Sequence, residues 1–359
     1  MIKEIKKKKI LHIVEAFGGG IFSFLVDLVN ATSNDFDIVI AYSKRTQTPE
    51  NFKSYFASNV KFIEVKNFTR SISLKKDLKA FFEVRKIIKE EKPEIIHLHS
   101  SKAGFIGRFA GNGKKIKMLY NPHGFSFLMQ DSSKLKRKIY WIIEKLGALR
   151  KCTIVGCSQG EYEEALKLSK NAICINNGIN VEKLQEETKD FETKEIDLEN
   201  LKICTSGRIG YQKNPEFFNE IAENLPNIQF TWIGDGDLRE KLTSENVIVT
   251  GWKTRKEVLE LVNENDIFIL TSLWEGLPIS LLEAMYLEKP CLVTNCIGNK
   301  DVIRHGENGF IIDEKNYKSI IGNVNKRKFE EVSKKAKEDI LKEFNIKKMT
   351  EKYRGEYYG

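Results

Sequence analysis

Short apolar runs alternate with longer amphipathic segments along the chain. In its first half, the runs have strand length, and the stretches after them repeat apolar residues every three or four positions. The predicted strands of this half are 9–14, 37–41, 60–65, 94–97, 117–121, 153–157 and 172–175. The predicted helices between them include 21–30, 74–91, 134–149 and 159–168. Such alternation indicates a parallel sheet with helices on its faces.

The alternation resumes near position 200, after a polar stretch. Predicted strands of this second series are 201–205, 229–233, 247–250, 267–270 and 291–293. A chain of 359 residues exceeds the usual size of a single core, and 41% hydrophobic residues can fill two. We therefore predict two doubly wound α/β domains, 1–178 and 200–340, with a linker over 179–199 and a final helix over 341–359.

The most informative segment runs from residue 266 to 285. Its apolar run predicts a buried strand, and Pro278 suits the first turn of the following helix. That helix begins at the carboxyl edge of the sheet, where ligands bind and free N–H groups favour phosphate. Glu275 and Glu283, eight positions apart, can hold the hydroxyls of a ribose or hexose. In isolation, the segment is better explained by a capping glutamate and an ordinary surface glutamate.

Two cations follow another predicted strand, in the segment Ser206 to Pro215. Arg208 and Lys213 are placed to neutralise a diphosphate. When a diphosphate leaves in a reaction, negative charge develops on it, and fixed positive groups that meet this charge typically make the largest contribution to catalysis. The alternative for each is a surface ion pair. In the first half, Gly19 and Gly20 let the backbone approach a ligand closely, but Ser23 breaks the dinucleotide-binding pattern.

Histidines mark the predicted edge of the first sheet. His123 follows a strand in the turn Asn-Pro-His-Gly, which favours a ligand-side role over a structural one. His97 and His99 alternate as strand residues do, and we predict that they line the acceptor site. A metal site at this pair lacks a third ligand of suitable spacing. Asp235-Gly-Asp237 imitates a metal-binding motif, but its position beside the predicted cations argues against a required ion.

These segments, in this order, resemble those of glycosyltransferase family 4, whose members are retaining enzymes with the GT-B fold. The stretch from Glu275 to Glu283 resembles the family's E-x7-E element. Three further segments resemble its phosphate-binding turn, the next strand and loop, and its base-side turn: 206–215, 232–238 and 249–252. Segments 17–20, 121–125 and 176–179 match the family's N-terminal half more loosely.

The resemblance implies two Rossmann-like domains facing a central cleft, with the acceptor on the first and a nucleotide sugar on the second. It implies retention, with the departing phosphate oxygen taking the acceptor proton, Glu275 on the sugar hydroxyls and Glu283 on the ribose. The final helix would return to the first domain. The implied catalytic residues are His123, Arg208, Lys213 and Glu275. The implied donor contacts are Gly19, Gly20, Arg208, Lys213, Gly251, Trp252, Glu275, Gly276, Leu277, Pro278 and Glu283.

Charge is divided unevenly between the two halves. Residues 1–180 contain 32 basic and 17 acidic residues, and the remainder contains 27 and 33. Basic clusters at 6–9, 114–117 and 134–138, the last beside Tyr140 and Trp141, favour an anionic membrane surface over nucleic acid, for which no binding motif is present. The alternative for each cluster is a solvated face.

The six cysteines lack metal spacing and are interpreted as reduced cytoplasmic thiols, with a Cys152–Cys157 disulfide as the minor alternative. The N-terminal segment is too short and too polar for a signal peptide, and no run reaches the length of a membrane span. We expect a peripheral protein at the inner face of the cell membrane.

The function predicted from these features is transfer of a hexose or N-acetylhexosamine from a nucleotide diphosphate sugar, with UDP as the expected nucleotide. The expected acceptor is a lipid-linked glycan of bacterial surface polysaccharide, and no further cofactor or metal is required. Alternatives are a soluble small-molecule glycosyltransferase, a nucleotide-sugar epimerase of the same architecture and a non-catalytic nucleotide-sugar sensor. Glu275, Glu283, Arg208 and Lys213 argue against the last two.

Overall fold

The computed structural model describes residues 6–69, 73–192, 195–323 and 325–359. The chain forms two compact units. The first contains Met1–Leu128, Ser132–Asn177 and Ile346–Gly359, and the second contains Met129–Asp131 and Gly178–Asn345. The stretch 179–199 is part of the second unit and contains a helix, α6 (Val181–Glu187).

The first unit contains a parallel sheet of seven strands in the order β3-β2-β1-β4-β5-β6-β7. These strands are β1 (Lys9–Phe17), β2 (Asp37–Lys44), β3 (Lys61–Glu64), β4 (Ile95–His99), β5 (Lys117–Asn121), β6 (Thr153–Gly156) and β7 (Ala172–Cys174). Each begins within one residue of its predicted start. Apolar runs locate these strands well because both faces of a parallel sheet are covered.

Helices cover both faces of this sheet: α1 (Gly19–Thr32), α2 (Leu74–Glu91), α3 (Ser101–Ala110), α4 (Lys134–Ala148), α5 (Gln159–Leu168) and α12 (Ile346–Tyr358). One buried apolar cluster joins α1 and α12 to the sheet through residues such as Leu25 and Tyr353. A second cluster, which includes Val84 and Ile106, lies under α2 and α3. The chain's last helix, α12, is thus part of the core of the first unit.

The second unit has a parallel sheet of six strands in the order β10-β9-β8-β11-β12-β13. The strands are β8 (Lys202–Ser206), β9 (Gln229–Ile233), β10 (Val247–Val249), β11 (Ile267–Leu270), β12 (Cys291–Thr294) and β13 (Phe310–Ile312). Besides α6, its helices are α7 (Pro215–Glu223), α8 (Arg255–Glu264), α9 (Ile279–Tyr286), α10 (Tyr317–Gly322) and α11 (Lys326–Lys342). The two parallel-sheet units confirm the predicted α/β class. The edge strand β13, only three residues long, escaped prediction.

Within the described ranges, no helix combines the length and the apolar character that crossing a membrane requires. All six cysteines are free thiols, so the alternative disulfide between Cys152 and Cys157 is wrong. Burial raises the pKa of Cys152 to about 12, which makes this thiol inert as a nucleophile at neutral pH.

Candidate functional site

An ion pair between Lys213 and Glu275 forms the centre of the candidate site in the second unit. The Lys213 Nζ atom lies 2.8 Å from Oε1 of Glu275. Oε1 also accepts a hydrogen bond from the Ser272 hydroxyl at 2.7 Å, and Oε2 accepts one from the Gln212 amide at 3.1 Å. Both charged side chains are largely buried, so the carboxylate is fixed in direction before any ligand arrives.

Backbone links hold the two halves of this pair together. Lys213 ends a short 3₁₀ turn after β8, and Glu275 lies in the loop after β11. The Thr271 hydroxyl donates to the Lys213 carbonyl at 2.7 Å, and Leu273 N–H donates to the Gln212 carbonyl at 2.8 Å. Neighbouring parallel strands end at the same edge, so these contacts assemble the site at the carboxyl edge of the sheet.

Gly207 leaves room for the Lys213 side chain. Its φ of +135° suits glycine, and a Cβ atom there would lie 3.2 Å from Cε of Lys213. Arg208 follows directly, and its Nε lies 3.5 Å from the position of a Cβ on Gly210. The predicted cations therefore occupy one turn, but Lys213 is the one bound to Glu275.

Glu283 belongs to a separate ion pair. Its Oε1 lies 2.6 Å from Nη1 of Arg255, whose Nε is 3.1 Å from Oε2 of Glu187 on α6. Burial raises the pKa of the Glu283 carboxyl, and Arg255 opposes that rise. The Glu283 carboxylate on α9 is thus held by Arg255 of α8, which also contacts α6, and it is only partly exposed to solvent.

The start of α9 differs from its prediction in one detail. Pro278 is the N-cap residue, with an extended backbone, and the helix begins at Ile279. Gly276, Leu277 and Pro278 are buried rather than open, so these residues offer little surface to a ligand. Within the described residues, the N–H groups of Ile279 and Ser280 have no protein acceptor, which leaves them for an anion.

The predicted base-side turn is open. Gly251 has a φ of +73°, and no atom lies within 4 Å of a Cβ placed on it. Trp252 next to it is 56% exposed, although a tryptophan is usually largely buried. Gly251 pairs with Gly234, the residue after β9, so both belong to the same edge of the sheet as the ion pair.

Asp235 and Asp237 do not form a prepared metal site. Asp235 accepts from the Gly236 N–H at 2.8 Å and pairs with Arg239 at 3.2 Å, while Asp237 is exposed. Among the described residues, the group with metal-ligand potential is instead His12, His97 and His99 in the first unit.

This histidine group corrects two expectations. His97 and His99 are completely buried, so they do not line an acceptor surface. A third histidine does accompany them, because β1 and β4 pair in register with His12 opposite His97. No sequence pattern predicts this contact, since His12 lies 85 positions from His97.

His123, by contrast, is partly exposed at the end of β5, in a left-handed backbone conformation with φ of 54°. Gly124 N–H donates to the buried Glu161 carboxylate at 2.5 Å, which fixes the turn. Gly19 and Gly20, at the start of α1, are exposed, and no atom lies within 4 Å of a Cβ placed on either. Gly19, Gly20 and His123 are therefore accessible, unlike His97 and His99.

Sequence reasoning missed Arg255, Glu187, Gln212 and Ser272. Arg255 carried a usable signal, because a cation in the first turn of a helix opposes the helix dipole and needs another reason to be there. The other three carry none, since they become neighbours of the site only through the loops after β8 and β11 and through α6.

Comparisons with known proteins identify the family of this chain. Residues 186–339 match the family model described as glycosyl transferases group 1, and residues 18–183 match glycosyltransferase family 4. The chain is 31% identical to an uncharacterized 41.2 kDa protein in the cps region of Klebsiella pneumoniae, over 85% of this chain and 86% of that protein. It is 29% identical to the Escherichia coli UDP-Gal:alpha-D-GlcNAc-diphosphoundecaprenol alpha-1,3-galactosyltransferase, over 84% of this chain and 85% of that enzyme.

Solved structures show the same fold at low sequence identity. Sucrose-phosphate synthase from Thermosynechococcus elongatus superposes with a TM-score of 0.80 and 14% identity, over 98% of both chains. Anabaena HepE in complex with UDP and glucose gives a TM-score of 0.78 and 14% identity, over 98% of this chain and 100% of HepE. The chain belongs to glycosyltransferase family 4 and is a glycosyltransferase with the GT-B fold.

Proposed function

We propose that this glycosyltransferase takes a hexose or N-acetylhexosamine from a UDP-sugar and transfers it, with retention, to a lipid-linked saccharide. The observation that carries the donor assignment is the Lys213–Glu275 pair beside the uncapped start of α9. The names of relatives support the rest: the E. coli relative uses UDP-Gal, and a Campylobacter jejuni relative, 24% identical, also acts on a diphospho-undecaprenol substrate.

The hydrogen bonds of Glu275 define what it can still bind. A carboxylate oxygen accepts about two hydrogen bonds. Oε1 accepts from Ser272 and Lys213, and Oε2 accepts from Gln212, so Oε2 has one position for a sugar hydroxyl. The Lys213 ammonium has three N–H donors and its ion pair uses one, which leaves two for diphosphate oxygens. One pair can thus hold the sugar and the leaving group together.

The rest of the donor is assigned to the neighbouring groups. Arg255 orients Glu283 for the ribose hydroxyls, and the exposed Trp252 offers a flat face for a base. Arg208 adds a second charge on the turn that carries Lys213. Since these cations and the N–H groups of α9 supply positive charge, the proposed mechanism needs no divalent ion.

A nucleotide panel tests the donor assignment. Thermal unfolding is followed with UDP, ADP, GDP and their sugars, and a UDP compound at a hundredfold its dissociation constant should stabilise the protein by about 2.7 kcal/mol. Lys213→Ala should lose that stabilisation, while the matched surface variant Lys241→Ala, whose partner is Glu216, should keep it. Equal stabilisation of both variants would contradict the assigned site.

Helix α4 supports docking of the first unit on a membrane. Five apolar side chains spaced three or four residues apart lie on its outer face, each between 44% and 77% exposed: Leu135, Ile139, Ile142, Leu146 and Leu149. Its inner face instead carries the buried Glu144. A helix with its apolar side outward needs a covering surface, and exposed lysines at 134, 136 and 138 favour anionic lipid over a neutral apolar partner.

Vesicle binding tests this surface. The change of Lys134, Lys136 and Lys138 to Gln should weaken binding to anionic vesicles by roughly 1 kcal/mol per charge. Arg137 is left in place because its Nε donates to the Phe127 carbonyl. Ile139→Asn with Ile142→Asn should weaken binding too, whereas the equally exposed Leu341→Asn on α11 should not. Vesicle binding that does not change with lipid charge, with salt or in these variants would overturn the membrane assignment.

A further inference from the structure

Four of the five histidines of the chain form one cluster in the first unit. His12, His97 and His99 are completely buried, and His123 is the member with surface exposure. Burial lowers the pKa of His97 to about 4 and that of His123 to about 3, and it lowers the pKa of His12 and of His99 well below the usual range. All four imidazoles are therefore neutral at neutral pH, and each carries one N–H proton.

His97 has a tautomer fixed from outside the cluster. Its Nε2 lies 2.6 Å from the side-chain Oδ1 of Asn121, and the side-chain Nδ2 of Asn121 donates to the Tyr353 hydroxyl at 2.8 Å. Nε2 of His97 therefore carries the proton. Nδ1 of His97 then accepts from the Tyr357 hydroxyl at 2.8 Å. Both ring nitrogens are occupied, so His97 can bind a metal only by giving up one of these two hydrogen bonds.

The other three rings form a chain that ends at the surface. Nδ1 of His12 lies 3.0 Å from Nε2 of His99, and Nδ1 of His99 lies 3.1 Å from Nε2 of His123. Each contact needs one donor and one acceptor, and each neutral ring has one proton. The tautomers of the three rings are consequently linked: all three are protonated at Nδ1, or all three are protonated at Nε2.

The buried end of the chain decides between these states. Nε2 of His12 is buried and has no hydrogen-bond partner. Protonation at Nε2 would leave an N–H group without an acceptor in the core, and orphaned buried N–H groups are rarer in proteins than unpaired acceptors. Protonation at Nδ1 leaves only an unpaired lone pair on His12. It places the last proton on Nδ1 of His123, which makes no hydrogen bond within the described residues and belongs to the one partly exposed ring of the cluster.

We propose that His12 and His99 are positioning residues that hold His123 as the Nδ1–H tautomer, so that His123 donates a hydrogen bond to an oxygen of the bound saccharide and does not act as a base. This inference rests on the proposed glycosyl transfer for the identity of the ligand. The tautomers themselves rest on the geometry of the first unit alone.

The direct test is a long-range ¹H–¹⁵N spectrum of the full-length protein labelled at histidine, in which protonated and unprotonated ring nitrogens have different shifts. With five histidines, single substitutions assign every ring. We expect His12, His99 and His123 to be protonated at Nδ1 and His97 at Nε2. Protonation of His123 at Nε2 would overturn the proposal, and so would zinc that binds and shifts the ring nitrogens of His12 and His99. This spectrum tests the linked tautomers of His12, His99 and His123 whether or not glycosyl transfer is detected.

Two variants of His99 test how the tautomer of His123 affects activity. His99→Leu removes the donor to His123, and we expect kcat to fall about tenfold, the value of one hydrogen bond of roughly 1.4 kcal/mol. His99→Gln has an amide that accepts from His12 and donates to His123, so it should recover most of kcat and the Nδ1–H signal of His123. Equal loss in both variants, with folded protein in each, would show that His99 acts only as packing.

Discussion

Two carboxylates and two cations of the second unit form separate pairs, Lys213 with Glu275 and Arg255 with Glu283. The sequence predicts Lys213, Glu275 and Glu283, because each follows a strand or starts a helix at the ligand edge. It cannot predict which cation meets which carboxylate, since that depends on loops that link residues 62 positions apart. For the same reason, the contact between His12 and His97 could not be predicted, because it depends on the register between β1 and β4.

Lys213→Ala should lower kcat/KM by a factor of roughly 100 to 1,000, since one donor to developing negative charge contributes about 3–4 kcal/mol. The fold should persist, because Ser272 and Gln212 still bind the Glu275 carboxylate. Steady-state transfer and thermal unfolding measure the two effects, with Lys241→Ala as the matched lysine variant. A kcat/KM within threefold of wild type would remove Lys213 from the site.

Glu283 gives a prediction about pH. Burial raises the pKa of its carboxyl above the ordinary 4.5, so the native state binds a proton that the unfolded chain has lost. Wild-type stability therefore falls as pH rises from 4.5 through the folded pKa, and the contribution is fully present below 4.5. The free energy of unfolding of Glu283→Gln, minus that of wild type, should rise across this window in urea titrations. A difference that falls with pH would mean that Arg255 lowers the pKa instead.

Among the elements, β5, β9 and β11 match their predicted bounds, as do α2 and α5. Continuous apolar runs and amphipathic periods carry this information. The orientation of α4 could not be predicted from its sequence, because the apolar side of this amphipathic helix faces outward and not toward the core. Arg108 and Glu144 form an ion pair of 2.7 Å with side chains 0% and 2% exposed, and a Cβ on Gly147 would clash with the Arg108 guanidinium at 2.4 Å. This buried pair anchors the charged face of α4 to α3.

Glu144→Gln should destabilise the first unit by about 3–5 kcal/mol, because it leaves the Arg108 charge in the core without a counterion. Nη1 of Arg108 already has no hydrogen-bond partner, and Nε donates to the uncharged Gly104 carbonyl, which does not neutralise the guanidinium charge. Urea unfolding followed by circular dichroism measures the loss. Glu164→Gln, which breaks an exposed pair with Lys167, is the control and should cost less than about 1 kcal/mol. Equal urea midpoints for Glu144→Gln and Glu164→Gln would contradict the conclusion that the Arg108–Glu144 pair holds α4 on α3.

Over the whole molecule, composition and length predict two α/β units, and the charge division predicts a basic first half. The structure shows that part of this charge is structural. Lys9 pairs with Asp37 and Glu91, and Lys117 pairs with Glu356 on α12. A count of charges cannot separate such pairs from a docking surface, because each partner is distant in sequence. The exposed lysines of α4 remain as the part of this charge that we propose binds anionic lipid.

Saturating EDTA should leave the transfer rate within about twofold, because Lys213, Arg208 and the start of α9 supply the positive charge at the diphosphate. Initial rates with and without chelator measure this. A rate that collapses in EDTA and returns with magnesium or manganese would assign Asp235 and Asp237 to a metal, even though Asp235 is paired with Arg239 in the structure.

The most direct test of the central claim is a transfer assay with a polyprenyl-diphosphate saccharide and a panel of nucleotide sugars, read by mass spectrometry and by NMR of the new linkage. One UDP-sugar should add a single sugar residue to the lipid-linked saccharide, with the anomeric configuration of the donor retained, and Lys213→Ala should abolish most of the product. A product formed with inverted configuration, or sugar transferred at the wild-type rate by Lys213→Ala, would contradict the account.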